Sequence, residues 1–245
     1  MAGAHRPSRV GREVSESVPP NLAPPEGIGP LRRQRLTWAR LYFVSEARPN
    51  GQEPELLLDA ALSGGVGIIQ LRERDLAAEM LLPHAATFRR LADTYGAPFI
   101  VNDDPELARE LKADGVHVGQ DDMPPGEARE LLGADAIIGL STHSREQIEA
   151  AHAEPVDYIS VGPIWETPTK EGRPATGLEL IRTASEIATL PWFAIGGIDP
   201  GNVGEVISAG ARRVCVVRAI RDAQDPAAAA RALSEALDPE HRAMA

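Results

Sequence analysis

Residues 162–177 read GPIWETPTKEGRPATG and follow the apolar run DYISV (157–161) without a break. Thr167, Thr169 and Lys170 therefore stand where a buried strand must stop. They set neutral hydroxyl donors beside an ammonium point charge, a combination suited to a phosphorylated ligand. A second group lies in QLRERD (70–75), where strand alternation turns Gln70, Arg72 and Arg74 to one side. Two guanidiniums on one side repel unless an anion lies between them, and their forked donors match phosphate. The competing reading is a surface ion-pair cluster with Glu73 and Asp75.

Carboxylates form a third group. Asn102-Asp103-Asp104 closes one apolar run and Gln120-Asp121-Asp122 follows the next. Acids at neighbouring strand ends repel, and a divalent cation would resolve this, because hard Mg²⁺ takes one or two carboxylates together with substrate phosphate oxygens. Asp104 has a simpler role as the N-cap of a helix with Pro105 at its first position. That leaves Asp103 without a structural role. Ser141 is a rim hydroxyl at the end of IIGLST, while Ser144 and Gln147 form a capping box, and His143 at that helix start reads as a bystander. Gly196-Gly197 and Val217-Arg218 close the last two apolar runs, where bare backbone N–H groups can hold a second phosphate.

These groups need elements that bring them together. Short apolar runs at 41–45, 67–72, 98–103, 115–119, 137–142, 158–164, 192–198 and 213–220 read as eight strands. Helical patterns at 53–65, 76–96, 105–113, 125–133, 145–153, 177–189, 201–210 and 225–237 separate and follow them. Strict alternation implies right-handed crossovers and a parallel sheet, and eight repeats suggest closure into a (β/α)₈ TIM barrel of one domain, residues 37–245. An open doubly wound sheet usually has fewer strands, and its nucleotide-binding form carries GxGxxG after the first strand, which SEARPNG (45–51) lacks. Active sites of the barrel lie at the C-terminal strand ends, where every group above falls. Residues 1–36 are rich in proline, glycine and arginine without a hydrophobic period, and are expected to be a disordered extension whose removal leaves the thermal midpoint unchanged.

Composition narrows the partners. The 25 Lys+Arg against 36 Asp+Glu give a net charge of −11, which disfavours nucleic acid while leaving small anions open. The one cysteine, Cys215, excludes an internal disulfide framework and points to a reducing, cytoplasmic setting. No apolar run approaches the roughly 20 residues that span a bilayer, so no membrane partner is expected. Oligomeric state stays open, a homo-oligomer included.

QLRERD, FIVNDD, ADGVHVGQDDMP, IGLSTHS, DYISVGPIWETPTK and FAIGGI, in that order, resemble the thiamine-phosphate synthase (thiamine-phosphate pyrophosphorylase) family over about residues 41–237. The resemblance implies a barrel that joins 4-amino-5-hydroxymethyl-2-methylpyrimidine diphosphate to a thiazole phosphate and releases diphosphate. It implies that Gln70, Leu71, Arg72, Glu73, Arg74, Asn102, Ser141 and Lys170 meet the pyrimidine diphosphate, with Arg72, Arg74 and Lys170 acting on the leaving group. By the same resemblance Asp103 and Asp122 hold Mg²⁺, and Thr167, Pro168, Thr169, Gly197, Val217 and Arg218 meet the thiazole phosphate. Arg74 stands where the family usually has lysine, and Arg218 where it usually has serine. Two other readings remain: a thiazole tautomerase on the same barrel, which would need no metal–diphosphate site, and a non-catalytic thiamine-phosphate sensor.

Overall fold

The structure, a computed structural model, describes residues 26–74, 76–167 and 174–238. Eight parallel strands close in sequence order: β1 (Leu41–Ser45), β2 (Ile68–Leu71), β3 (Phe99–Asn102), β4 (Gly115–Val118), β5 (Ile137–Thr142), β6 (Tyr158–Val161), β7 (Trp192–Ile195) and β8 (Val214–Val216). The β1–β8 pairing, Leu41 opposite Val214 and Phe43 opposite Val216, seals the cylinder. Around it run α2 (Glu55–Ser63), α3 (Ala78–Tyr95), α4 (Pro105–Glu110), α5 (Pro125–Leu132), α6 (Arg145–Ala151), α7 (Gly177–Ile187), α8 (Val203–Ser208), α9 (Arg218–Arg221) and α10 (Pro226–Leu237). The (β/α)₈ expectation holds, and the strands are shorter than the apolar runs. Pro163 has no N–H to extend the β6 ladder. Residues 218–220, expected as strand, instead begin the short helix α9. Among the described residues no helix is long and apolar enough to cross a membrane.

Alternation divides the strand side chains into two cores. Outward residues such as Phe43, Ile69, Leu71, Phe99, Val116 and Ile159 pack beneath the helices. Inward residues form a smaller cluster of Tyr42, Ile68, Ile100, Ile137, Tyr158 and Phe193. Toward the top the inward side turns polar on five strands, with Gln70 on β2, Asn102 on β3, His117 on β4, Ser141 on β5 and Ser160 on β6, while β1 and β7 keep Val44 and Ile195. The interior is thus apolar in its lower half and hydrogen-bonding on one side above.

Residues 28–36 correct the expectation of an unstructured stretch through residue 36. They belong to α1 (Ile28–Trp38), whose Leu36 is 2% exposed and packs with Tyr42, Ile68 and Ile137 in the inner cluster. The helix closes the N-terminal mouth of the barrel, held by two carboxylates that precede β4 and β6. Asp114 accepts from Arg32 Nε (2.8 Å), Arg89 Nη1 (2.7 Å) and the Phe99 N–H (2.8 Å). Asp157 accepts from Arg33 Nε (2.7 Å), Arg129 Nη2 (2.7 Å) and the Ile138 N–H (2.8 Å). The arginines that made this stretch read as solvated are tertiary contacts, each half-shielded and charge-assisted. Removing residues 1–36 would therefore open the barrel floor, contrary to the expectation of an unchanged midpoint. Leu36→Ala should lower the unfolding free energy by about 2–5 kcal/mol in a urea titration, because the barrel bottom cannot collapse onto the space left; a change near zero would show that α1 does not plug the barrel.

Candidate active site

The C-terminal strand ends surround a cavity of about 390 Å³. Gln70, Arg72, Asn102, Ser141, Thr167, Gly197, Val217 and Arg218 all line it, so the structure gathers sequence-distant expectations into one space. Others lie elsewhere. Leu71 faces the outer core. Glu73 accepts from the Ala47 N–H (3.3 Å) and the Arg74 N–H (2.8 Å), which ties the β2 tip to the β1 loop, and Arg74 is exposed. Asp103 is half-buried with a left-handed backbone (φ 64°), and Asp122 is exposed and accepts the Gly119 N–H at 2.6 Å. Pro168, Thr169 and Lys170 lie outside the described residues, as does Asp75.

Arg72 is the most informative side chain. Its Nη2 is buried without a hydrogen-bond partner. Burial and the neighbouring Arg74 pull its pKa below the usual arginine value, while Asp103 and Glu46 oppose the shift. A buried guanidinium donor left unsatisfied costs stability unless a ligand completes it. The chemistry wanted there is an anion. Asp103 is close enough for its charge to act on Arg72, and Asp122 follows the neighbouring strand β4. Two carboxylates fit Mg²⁺ when phosphate oxygens and water complete its shell. Among the described residues no cluster of three or more His, Cys, Asp or Glu that could hold a metal ion is found.

The opposite rim is built from backbone. Gly196 (φ 108°) and Gly197 (φ 70°) follow β7; a Cβ on Gly196 would lie 2.6 Å from Pro163 Cα, and one on Gly197 2.9 Å from Trp165 Cβ. Glycine is required at both. Asn202 fixes the turn by donating from Nδ2 to Gly197 O (2.8 Å) and accepting the Asp199 N–H at Oδ1 (2.9 Å). Arg218 opens α9 beside Asp222, which Arg221 holds through Nε (2.7 Å) and Nη2 (2.9 Å). That hydrogen bonding keeps the Asp222 carboxyl below its ordinary pKa, so an acid and a base flank this side of the cavity.

Between the rims stands the loop after β6. Its base is tied to β7 by Ile164 N–H to Ile195 O (2.9 Å) and Trp165 N–H to Gly196 O (3.2 Å), and its far end by Thr176 N–H to Pro163 O (2.8 Å). Thr167 therefore enters the cavity from an anchored stem. The helix starts behave as the sequence indicates: Asp104 accepts the Leu107 N–H (2.9 Å) and Ser144 the Gln147 N–H (3.3 Å). His143 lines the cavity but binds the Gly162 carbonyl through Nδ1.

Sequence reasoning missed the floor. Tyr42, His117 and Ser160 line the cavity and belong to a buried chain: Gln70 Nε2 donates to Tyr42 Oη (2.6 Å), Tyr42 Oη meets Tyr158 Oη (3.0 Å), and Tyr158 Oη meets His117 Nδ1 (3.0 Å). His117 Nε2 then meets Ser141 Oγ (3.0 Å) and Ser160 Oγ (3.3 Å). A histidine flanked by Val116 and Val118 is the signal that was available, since alternation sends it to the face opposite the valines.

Comparison with known proteins agrees with this geometry. Residues 41–220 match the family model described as thiamine monophosphate synthase. The thiamine-phosphate synthase of Thermus thermophilus is 53% identical over 202 residues, covering 81% of this chain and 97% of that protein. That of Acidothermus cellulolyticus is 50% identical over 197 residues, covering 80% and 93%. The solved thiamine phosphate pyrophosphorylase from Pyrococcus furiosus superposes with a TM-score of 0.74 at 31% identity, over 84% of this chain and 96% of that one.

Arg72→Met removes the orphaned donor and keeps the apolar stem. Its thermal midpoint in anion-free buffer should equal or exceed that of the wild type, while added inorganic phosphate should stabilise the wild type more than the variant, which keeps only the backbone cradle. A fall in the anion-free midpoint would show that Arg72 serves the fold.

Proposed function

Since the chain belongs to the thiamine monophosphate synthase family, we propose that it is a transferase joining 4-amino-5-hydroxymethyl-2-methylpyrimidine diphosphate to a thiazole phosphate, giving thiamine phosphate and diphosphate. The observation that carries this reading is the buried, unpartnered Arg72 Nη2 on a cavity whose other rim is a glycine-lined backbone cradle. One cavity then offers two anion sites, as two phosphorylated substrates require.

Gln70, Asn102 and Ser141 hold the pyrimidine, with Leu71 and Glu73 shaping the β2 tip that carries Arg72 and Arg74. The bond between the pyrimidine methylene carbon and the diphosphate oxygen breaks, and its electron pair leaves with diphosphate. The thiazole nitrogen lone pair then forms the new C–N bond. No proton need move in either step, which suits a rim without an evident base. Arg72, Arg74 and Lys170 neutralise the leaving group, and such preorganised charge contributes several kcal/mol to a barrier, on the order of a factor of 10²–10³ for one donor. Asp103 and Asp122 would hold Mg²⁺, which would supply Lewis-acidic charge to the leaving group. Thr167, Pro168, Thr169, Gly197, Val217 and Arg218 receive the thiazole phosphate; Arg218, beside Asp222, supplies a cation where a hydroxyl is usual. The carboxylate pair and the Arg72 site favour this reading over a tautomerase or a passive sensor, neither of which uses a diphosphate leaving group.

Incubation with both substrates and mass detection of thiamine phosphate tests the reading. Product should form with Mg²⁺, stop on chelation and return when Mg²⁺ is restored; full activity after exhaustive chelation would refute the metal assignment. Lys170→Ala should lower the single-turnover rate by about 10²-fold with little change in thiazole-phosphate affinity. A change confined to that affinity would assign Lys170 to the other substrate.

A further inference from the structure

With the Gln70 amide nitrogen set against Tyr42, the buried chain on the cavity floor has one fully satisfied arrangement of protons. Tyr42 Oη has two partners, Gln70 Nε2 and Tyr158 Oη, and Tyr158 Oη has two, Tyr42 Oη and His117 Nδ1. Gln70 Nε2 can only donate, so Tyr42 must direct its own proton to Tyr158 or leave it buried without an acceptor. Tyr158, having accepted, can give its proton only to His117 Nδ1. A neutral His117 then carries its proton on Nε2 and donates to Ser141 Oγ and Ser160 Oγ. Burial pushes both phenol pKa values upward, so each phenol keeps its proton. Gly139 makes the arrangement possible, because a Cβ there would overlap the Tyr158 ring and His117 Nδ1.

The consequence reaches the cavity. With acceptor capacity at Ser141 and Ser160 engaged by His117, their hydroxyl protons are available to a ligand; with Nε2 of Gln70 engaged by Tyr42, its Oε1 remains an acceptor. We propose that Tyr158, which does not line the cavity, is a positioning residue that fixes this polarity, so that the floor offers a carbonyl acceptor and hydroxyl donors to a heteroaromatic ring bearing an exocyclic amine and ring nitrogens. The choice of an aminopyrimidine as that ring rests on the function proposed above; the polarity itself does not. Tyr42 and Phe193 stack on Tyr158 at centroid distances of 6.0 and 5.7 Å, so Tyr158→Phe keeps the ring packing and deletes only the hydroxyl link.

Long-range ¹H–¹⁵N spectra of histidine-labelled wild type, with His117 assigned through contacts to the Tyr158 ring, should show one neutral tautomer protonated on Nε2. Tyr158→Phe should convert it to a tautomer mixture and raise the KM for the pyrimidine diphosphate about tenfold or more, while the KM for the thiazole phosphate stays within about twofold. A wild-type Nδ1–H tautomer, or the two KM values moving together or not at all, would overturn the proposal. The wild-type spectrum decides even if the variant does not fold. It is recorded without substrate, so a wild type that forms no product would remove the functional reading and leave the tautomer result standing.

Discussion

Closing eight parallel strands into a barrel fixes which side chains face inward, and the interior that results is only wide enough for those side chains to fill. Each strand of this chain contributes two inward positions or little more, so there is room for one apolar layer and one polar layer. Ile68, Ile100, Ile137, Tyr158 and Phe193 make the first with Leu36 of α1 sealing it from below. Gln70, Asn102, His117, Ser141 and Ser160 make the second. Stability comes from the lower half and recognition from the upper, and a register slip of one residue in any strand would turn that strand's inward side chains out toward the helices.

Electrostatics follow the same division. At the N-terminal mouth Asp114 and Asp157 each take two arginines and a strand N–H, so these half-buried charges are fully paired. At the C-terminal mouth Arg72 retains a buried donor without a partner. Arg89 Nε and Arg213 Nε are likewise buried without a partner, so what distinguishes Arg72 is that it lines the cavity.

The strand count, their order and the polar cavity-lining residues at the strand ends, such as Gln70, Arg72, Asn102 and Ser141, were legible because β–α alternation and strand-end polarity are local signals. Thr167 was legible for the same reason, as a hydroxyl just past an apolar run. α1 was not: apart from Gly29, only Leu36 of its residues is buried, and it is held by arginines whose carboxylate partners lie roughly eighty to one hundred and twenty residues away, as in Arg32–Asp114 and Arg33–Asp157. The first residues of α9 read as strand because VCVVRAI is apolar apart from Arg218, and a helix of four residues has no period to detect. The floor network escaped because Tyr42 and Tyr158 look like ordinary core aromatics; only their hydroxyl geometry, assembled from β1, β4 and β6, distinguishes them.

The account depends on the Arg72 end of the cavity being an anion site that Mg²⁺ completes. Calorimetric titration of the full chain with inorganic diphosphate, with and without Mg²⁺, addresses this without invoking turnover. The account predicts saturable binding that strengthens by at least about tenfold when Mg²⁺ is present, because the cation joins Asp103 and Asp122 to the anion. Absence of binding in both conditions, or affinity indifferent to Mg²⁺, would contradict it.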